Sequence, residues 1–186
     1  MIVTLASRAD ATALWAQIEE IFFLSSPAQR FASEVEKQAF LERWTGYYRE
    51  SERERIYLSL DATGRVAGYL TGCGDSTAAR RLYRDIESYH LFEHLFDAYP
   101  AHFHVNCHPN FRRRGVGTAL VEAFVAACVK DGVAGVHIVT GTGADNVAFY
   151  RECGLEFAVA RRWRGKELLF MGRRLRAPWP SAVTPR

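Results

Sequence analysis

The chain has 186 residues, 48% of them hydrophobic and 24% charged, which is typical of an ordinary globular protein with one compact domain. Its 24 Lys and Arg against 21 Asp and Glu leave a net charge of +3, too weak a field to indicate binding to nucleic acid or to an anionic membrane. The four cysteines form no C-x-x-C pair, which argues against a zinc site or a disulfide framework.

The ends of the chain and its apolar runs bear on where the protein acts. Charge appears at Arg8 and Asp10, too early for a signal peptide. No stretch approaches the roughly 18 apolar residues of a membrane-spanning helix. We therefore expect a cytoplasmic protein, a monomer or homodimer, with one domain over 1–176 and a loose tail over 177–186.

The first half of the chain predicts a strand, two helices, a hairpin and a further helical segment. Ser33 and Glu36 have the spacing of a capping box that opens the second helix. Asp61–Gly64, between two extended runs, is typical of a hairpin turn. The predicted elements are a strand at 2–6, a helix capped by Asp10 and ended by Pro27, a helix from Ser33, strands at 55–60 and 65–71, and a mostly helical pattern over 76–98.

The second half alternates between strands and helices. The predicted elements are a strand at 102–107, a helix through Leu120 to Cys128 that stops at 131–132, a strand at 136–140, a short helix at 146–152, and strands at 155–160 and 168–175. Alternation that follows a meander indicates an α/β or mixed α+β sheet.

The loop after the strand at 102–107 carries the motif with chemical meaning. It reads Cys107-His-Pro-Asn-Phe-Arg-Arg-Arg-Gly-Val-Gly-Thr118. Between a strand and a helix, such a loop can wrap a pyrophosphate with backbone N–H groups, reinforced by the positive helix end. Gly115 and Gly117 lack Cβ atoms that would keep the backbone from the phosphates, and the arginines at 112–114 add cationic donors. A glycine-containing turn with solvated arginines is the alternative.

These residues resemble a family. Arg112-x-x-Gly115-x-Gly117 is similar to the pyrophosphate signature Q/R-x-x-G-x-G/A of the GNAT acetyltransferases, and Phe149-Tyr150-x-x-x-Gly154 resembles their F/L-Y-x-x-x-G element. The resemblance implies an α/β (α+β) fold with a mixed, mostly antiparallel sheet, splayed at its middle and flanked by helices. It also implies acetyl-CoA as cosubstrate, no metal, and transfer of an acetyl group to the amine of an acceptor.

The resemblance also implies roles for individual residues. The backbone of Val105, Asn106 and Cys107 would hold the pantetheine arm, and Asn146 would contact the cofactor. Tyr150 would protonate the leaving thiolate, since a phenol with a pKa near 10 stays protonated at neutral pH. The residues that would hold the pyrophosphate are Arg112, Arg113, Arg114, Gly115, Val116, Gly117 and Thr118.

A general base is harder to assign, because the strand at 102–107 has no carboxylate where some members of the family keep one. Alternation puts His104 and Asn106 on one face and Val105 with Cys107 on the other. His104 could deprotonate an ammonium acceptor directly or through water; a hydrogen-bonded strand histidine is the alternative.

Within the family, the stretch 97–106 resembles the acetyltransferase-like domains related to the C-terminal part of O-GlcNAcases, which tend to have Asp where this chain has Asn106. Some of these relatives look like pseudo-enzymes. A non-catalytic acetyl-CoA-binding or interaction module is therefore the alternative function.

Two further sequence patterns suggest other functions. His90-x-x-Glu93-His94 fits the inverted zinc-protease pattern H-x-x-E-H, which needs a third ligand and an open cleft. From Arg161 onward the chain has eight Lys or Arg and one acid, Glu167, which favours a solvated edge strand over a surface for an acidic acceptor. Several tyrosines and phenylalanines between 47 and 96 are candidates for a pocket wall or for the core.

Overall fold

The computed structural model describes residues 1–26, 30–79, 81–82 and 86–175. These residues contain a seven-stranded sheet in the order β1-β2-β3-β4-β5-β7-β6. The strands are β1 (Ile2–Thr4), β2 (Ile56–Leu60), β3 (Val66–Cys73), β4 (Ala101–Cys107), β5 (Gly135–Gly141), β6 (Phe157–Trp163) and β7 (Lys166–Arg174). The α-helices are α1 (Ala11–Ser25), α2 (Glu34–Ser51), α3 (Val116–Lys130) and α4 (Val147–Glu152), and the longest 3-10 helix is Glu87–Leu95.

The sheet is antiparallel except at its centre. Strands β4 and β5 are parallel and pair at only two positions, Ala101 with Val136 and His102 with His137. Beyond His102 the two strands separate, although β4 stays paired with β3 as far as Cys107 and β5 with β7 as far as Gly141. The mixed, mostly antiparallel, centrally splayed sheet that the resemblance implied is confirmed.

Helices cover both faces of the sheet. On one face α3 presents Leu120, Val121 and Phe124 to a buried cluster that includes Phe103 and Tyr150. On the other face α1 and α2 form a second buried cluster with β1, β2 and β3. Strand β4 therefore has a helix layer on each side, and its alternate residues face different helices.

Two local signals have the predicted geometry. The Ser33 hydroxyl accepts a hydrogen bond from the Glu36 N–H at 3.2 Å, which caps α2. The Glu36 carboxylate accepts one from the Ala32 N–H at 2.7 Å, one residue before the usual partner in a capping box. In the hairpin turn, Asp61 Oδ1 accepts from the N–H of Thr63 at 2.8 Å.

Other predictions differ from the structure or lie outside it. Asp10 precedes α1 without capping it, because its carboxylate pairs with Arg8 at 2.9 Å instead. The segment predicted as helical over 76–98 contains the 3-10 helix Glu87–Leu95, while residues 80 and 83–85 lie outside the described part, as does the predicted tail 177–186. In the described ranges we find no helix with the length and apolarity needed to cross a bilayer.

Candidate active site

A cavity of about 520 Å³ lies where β4 and β5 separate. Its walls come from elements that are far apart in the chain. The aromatic part is formed by Phe22 of α1, Phe40 and Trp44 of α2, and Tyr69 of β3. The polar side chains on the wall are those of Ser25, Ser26, Thr45, Thr71, His104, Asn106, Thr140 and Asn146.

The two faces of β4 have separate surroundings. His104 lies opposite Thr71 and Asn106 opposite Tyr69 in the antiparallel register with β3, and all four line the cavity. Asn106 Nδ2 donates a hydrogen bond to the Tyr69 hydroxyl at 3.0 Å. Val105 packs instead against the apolar cluster beneath α3. The alternation predicted from sequence therefore separates a cavity face from an α3 face.

His104 is the histidine that reaches the cavity. Its ring lies 5.9 Å from that of Trp44 and 5.8 Å from that of Tyr48, both edge to face. Its Nε2 is shielded from solvent and has no hydrogen-bond partner among the described residues. Burial lowers the pKa of His104 to about 4, so the imidazole is neutral at neutral pH and is a weak base.

Two more histidines on the same face are fully buried at the point where β4 and β5 still pair. His102 Nδ1 lies 2.7 Å from the Ser76 hydroxyl, which itself donates to the Pro100 carbonyl. Nδ1 of His102 therefore carries the proton, and Nε2 accepts from the Tyr48 hydroxyl at 2.8 Å.

His137 is enclosed more tightly. It stacks between Phe96 at 4.9 Å and Phe170 at 4.7 Å and donates from Nδ1 to the Tyr99 carbonyl. Its burial lowers the pKa to about 3, and the pKa of His102 is lowered for the same reason.

The loop before α3 has the backbone of an anion site. Arg113 has a φ of 58° and Gly115 a φ of 75°, both in the left-handed region. Gly115 is the N-cap of α3 and supplies no side-chain cap, so the N–H groups of the first turn are left for another acceptor. Residues 112–115 are exposed. Alternating backbone handedness beside an uncapped helix start forms a concave set of N–H donors, which fits a pyrophosphate.

The two glycines of the motif are needed for different reasons. A Cβ on Gly115 would meet nothing within 4 Å, and it is the positive φ that favours glycine there. A Cβ on Gly117 would lie 3.1 Å from the ring of Phe149 and 3.6 Å from Cys107 Sγ. Gly117 thus allows α3 to pack closely on α4. The close approach of phosphates to these two glycines stays a prediction.

Arg112 and Arg114 of the same loop have different contacts. Arg112 donates from Nε to the Cys107 carbonyl at 3.3 Å and from Nη2 to the Ser25 hydroxyl at 3.5 Å. It therefore ties the end of β4 to the rim of the cavity. The guanidinium of Arg114 lies over the ring of Phe111 at 5.7 Å.

Tyr150 lies on α4 and Asn146 is the residue immediately before this helix, but the two side chains face different surroundings. Asn146 lines the cavity, and its Oδ1 accepts from the Thr140 hydroxyl at 3.0 Å. Tyr150 is 6% exposed, with its ring 6.2 Å from Phe103 and 5.2 Å from Phe149 in the cluster beneath α3. Burial raises the pKa of Tyr150 above its ordinary value, which keeps the phenol protonated. The cavity as it stands brings together Asn146, His104 and Asn106, and does not include Tyr150.

Sequence reasoning did not identify most of the aromatic wall. Of the candidate aromatics between 47 and 96, Tyr69 lines the cavity, while Tyr48, Phe92 and Phe96 are buried in the core. Phe40 and Trp44 stand four residues apart on α2, and this spacing is the signal that could have paired them.

The H-x-x-E-H pattern does not form a metal site. His90, Glu93 and His94 are exposed on a 3-10 helix, where three residues per turn rotate positions i and i+4 apart. In the part of the chain that the structure describes, no group of three or more His, Cys, Asp or Glu side chains is placed to hold a metal ion.

Comparison with known proteins gives a consistent result. The model of the acetyltransferase (GNAT) family matches residues 15–155. No curated protein matches the chain significantly in sequence. The branch related to O-GlcNAcases is not confirmed by these comparisons and stays a prediction.

Solved structures resemble the fold. The crystal structure of SsHAT is 21% identical, with a TM-score of 0.71 over 94% of this chain and 97% of that one. A GNAT superfamily phosphinothricin acetyltransferase from Sinorhizobium meliloti, in complex with AcCoA, is 22% identical, with a TM-score of 0.59 over 99% and 92%. The ribosomal-protein-alanine N-acetyltransferase from Brucella melitensis is 19% identical, with a TM-score of 0.57 over 94% and 99%.

Proposed function

The chain belongs to the acetyltransferase (GNAT) family, and on this premise we propose that it transfers the acetyl group of acetyl-CoA to an amine by direct attack. The observation that carries the proposal is the splay between β4 and β5, which opens into a cavity beside the uncapped start of α3. A thioester held along the splay has its acyl end at the cavity and its phosphates at the loop.

Backbone groups would do most of the binding of acetyl-CoA, whose thioester supplies the activated acetyl group. The N–H groups of Val116, Gly117 and Thr118 would hold the pyrophosphate, with Arg113 and Arg114 adding positive charge. Past His102, β4 has no strand partner on its β5 side, so the backbone of 105–107 is free to hold the pantetheine arm.

The residues of this chain would handle the protons of the transfer. The amine nitrogen forms a bond to the acetyl carbon, the C–S bond breaks, and the nitrogen loses one proton to water or to neutral His104. The thiolate takes a proton, and we assign that donation to Tyr150, which burial keeps protonated. Backbone N–H groups near Asn106 and Cys107 would polarise the thioester carbonyl.

The test is release of free thiol from acetyl-CoA with a panel of amines, polyamines, amino acids, antibiotics and peptides. Release above the rate without protein, together with an acetylated product by mass spectrometry, supports the proposal. A protein that binds acetyl-CoA in calorimetry but acetylates nothing supports the second candidate, a non-catalytic binding module. The observation that favours this candidate is Asn106 in place of a carboxylate, beside a histidine that is a weak base.

We also propose that the protein works in the cytoplasm. All four cysteines are free thiols, with Cys107 half-buried and Cys73, Cys128 and Cys153 buried. Thiols persist in a reducing compartment. Alkylation of the protein as isolated from cells should modify four thiols after unfolding without reductant; two or fewer would contradict the assignment.

A further inference from the structure

The cavity face of the site has a chemical character of its own. None of the described residues that line the cavity is charged. An ammonium acceptor would normally be held by a carboxylate, because burying an unpaired charge is costly. Here the wall that would receive it is built from the side chains of Phe22, Phe40, Trp44, Tyr69 and Leu168.

Several polar side chains of the cavity already have hydrogen-bond partners. The Thr45 hydroxyl donates to the Leu41 carbonyl at 2.8 Å, inside α2. The Thr140 hydroxyl donates to Asn146 Oδ1 and so occupies one of the two lone pairs of that oxygen. The acceptors on the described part of the wall belong to uncharged side chains, so an incoming –NH₃⁺ group would lose its water shell without gaining a carboxylate partner.

A cation at the rim of the cavity strengthens this preference. Arg112 donates to the hydroxyl of Ser25, which lies on the rim of the cavity. A fixed guanidinium at the entrance disfavours a second positive charge inside. Aromatic ring faces can attract ammonium ions, but the nitrogen must still lose a proton before it can attack the thioester.

The base available in the cavity is weak. His104, with a pKa of about 4, cannot take a proton efficiently from an alkylammonium whose pKa is near 10. It can accept one from a nitrogen that reaches the site uncharged and becomes strongly acidic as it bonds to the acetyl carbon. A shielded, unpartnered Nε2 on the same ring shows that its surroundings are built for the neutral form.

From these contacts we propose that the acceptor is a small aromatic amine that is uncharged at neutral pH, with its nitrogen attached directly to the ring. The proposal rests on the transferase function proposed above and names the substrate class of that same site. A cavity of about 520 Å³ suits a small molecule, and its aromatic walls match a planar ring. The balanced reaction is arylamine plus acetyl-CoA to N-acetylarylamine plus CoA thiol.

The test separates the ring from the charge. Three amines of similar size are compared at pH 7: 4-methylaniline, which has a ring and is neutral; benzylamine, which has a ring and is cationic; and cyclohexylmethylamine, which is cationic without an aromatic ring. We expect kcat/KM for 4-methylaniline to exceed that of the other two by at least about tenfold, the size of one lost charge interaction. Equal or faster acetylation of benzylamine, a polyamine or a peptide would overturn the acceptor class and leave the transferase function standing.

A substitution in the cavity should raise the activity toward a cationic amine. Asn106→Asp places a carboxylate in the cavity where it can accept from the Tyr69 hydroxyl, so it should raise kcat/KM for benzylamine about tenfold relative to 4-methylaniline. Gln38→Glu adds the same charge on an exposed position of α2 outside the cavity and serves as the control. An unchanged preference in the Asn106 variant would count against the proposal.

A binding measurement keeps the two proposals distinguishable if no amine is acetylated. Trp44 lines the cavity, so its fluorescence should be quenched by 4-methylaniline and not by benzylamine, with Trp44→Phe identifying its share of the signal. Absence of thiol release from every amine would overturn the transferase function. Selective quenching would then still support the preference of the cavity for an uncharged ring, and its absence would overturn that preference too.

Discussion

The two sides of strand β4 are built in different ways. On the α3 side, the proposed contacts to the pyrophosphate are mainly backbone N–H groups in one stretch, 112–118, shaped by two residues with positive φ. On the cavity side, the surface consists of side chains from α1, α2, β3, β4, β5 and β7. A ligand common to many enzymes can be held by a short backbone segment, whereas an individual acceptor needs a surface assembled from many elements.

This contrast allows the two sides to change independently. Substitutions at the loop should act on acetyl-CoA alone, and those in the cavity on the acceptor alone. The separation can fail at two residues: Arg112, which reaches from the loop to Ser25 at the cavity, and Tyr150, which lies in the cluster beneath α3 but is proposed to protonate the leaving thiolate.

The largest expected effect tests whether Tyr150 acts across the two sides. Tyr150→Phe keeps the ring against Phe103 and removes one hydroxyl, so acetyl-CoA affinity should not change. If the hydroxyl protonates the thiolate, kcat should fall by roughly 10²–10⁴, with little effect on KM. Steady-state rates measured with an acceptor that the panel identifies decide this.

The matched control is Tyr57→Phe, another buried tyrosine in the same cluster, which contacts the ring of Phe124 away from the splay. It should keep the wild-type kcat. A Tyr150 variant with more than about half the wild-type kcat, under conditions where chemistry limits the rate, would remove this residue from the mechanism.

The next effect tests the buried histidines, all of which lie on the cavity side. His104 and His137 have folded pKa values of about 4 and about 3, below the unfolded value near 6.5. The unfolded chain therefore binds more protons between these values, and the stabilisation present above pH 6.5 is lost as the pH falls. Lowering the pH from 7 to 4.5 should therefore reduce the free energy of unfolding by about 2 kcal/mol for each of these histidines.

Urea unfolding at pH 7, 5.5 and 4.5 measures this loss. His137→Phe preserves a ring between Phe96 and Phe170 and removes one titrating group, so its unfolding free energy should fall less steeply with acid. The same slope in the variant and the wild type would contradict the role of His137.

A smaller effect tests the loop side alone. Thr118→Glu places a carboxylate in the first turn of α3, where it is compatible with the helix dipole but repels a pyrophosphate. Acetyl-CoA affinity measured by calorimetry should fall about 10- to 100-fold, the size of one or two lost charge-assisted contacts. Ala126→Glu, exposed later in the same helix, should bind normally; a Thr118 variant with unchanged affinity would refute the loop assignment.

The smallest effect separates neighbouring arginines. Arg113→Gln should weaken acetyl-CoA binding up to about fivefold, the usual worth of an exposed charge contact. Arg112→Gln should weaken it less, because that guanidinium is held by the Cys107 carbonyl and the Ser25 hydroxyl. The opposite order in calorimetry at low salt would show that Arg112 turns toward the cofactor when it binds.

The loop side could be predicted from the sequence to a greater extent than the cavity side. The loop, the hairpin at Asp61 and the cap at Ser33 rest on local backbone chemistry, and local chemistry can be read along a chain. The cavity could not be predicted, because Phe40 and Trp44 have the same helical spacing whether they face a core or an opening. The close packing of Gly117 against Phe149 also depends on the tertiary structure, so it could not be predicted from the loop sequence.

The histidines show the limit most clearly. The sequence marked His104 as a candidate base, but only the tertiary surroundings reveal that burial weakens it. In the same way, the pattern at 90–94 would place both histidines on one face of an α-helix. The segment is a 3-10 helix, in which His90 and His94 point in different directions.

The short contact between β4 and β5 has a consequence for folding. The four strands before the splay and the three after it form two antiparallel half-sheets, which share the buried cluster beneath α3 but have only two strand pairings between them, at 101–102 with 136–137. We therefore expect this seam to open locally, so that those amide hydrogens of 103–107 that face β5 exchange before the amide hydrogens of the core. A ligand bound in this seam adds contacts to both half-sheets. Acetyl-CoA should therefore slow the exchange of these amide hydrogens, and the effect should grow with its concentration.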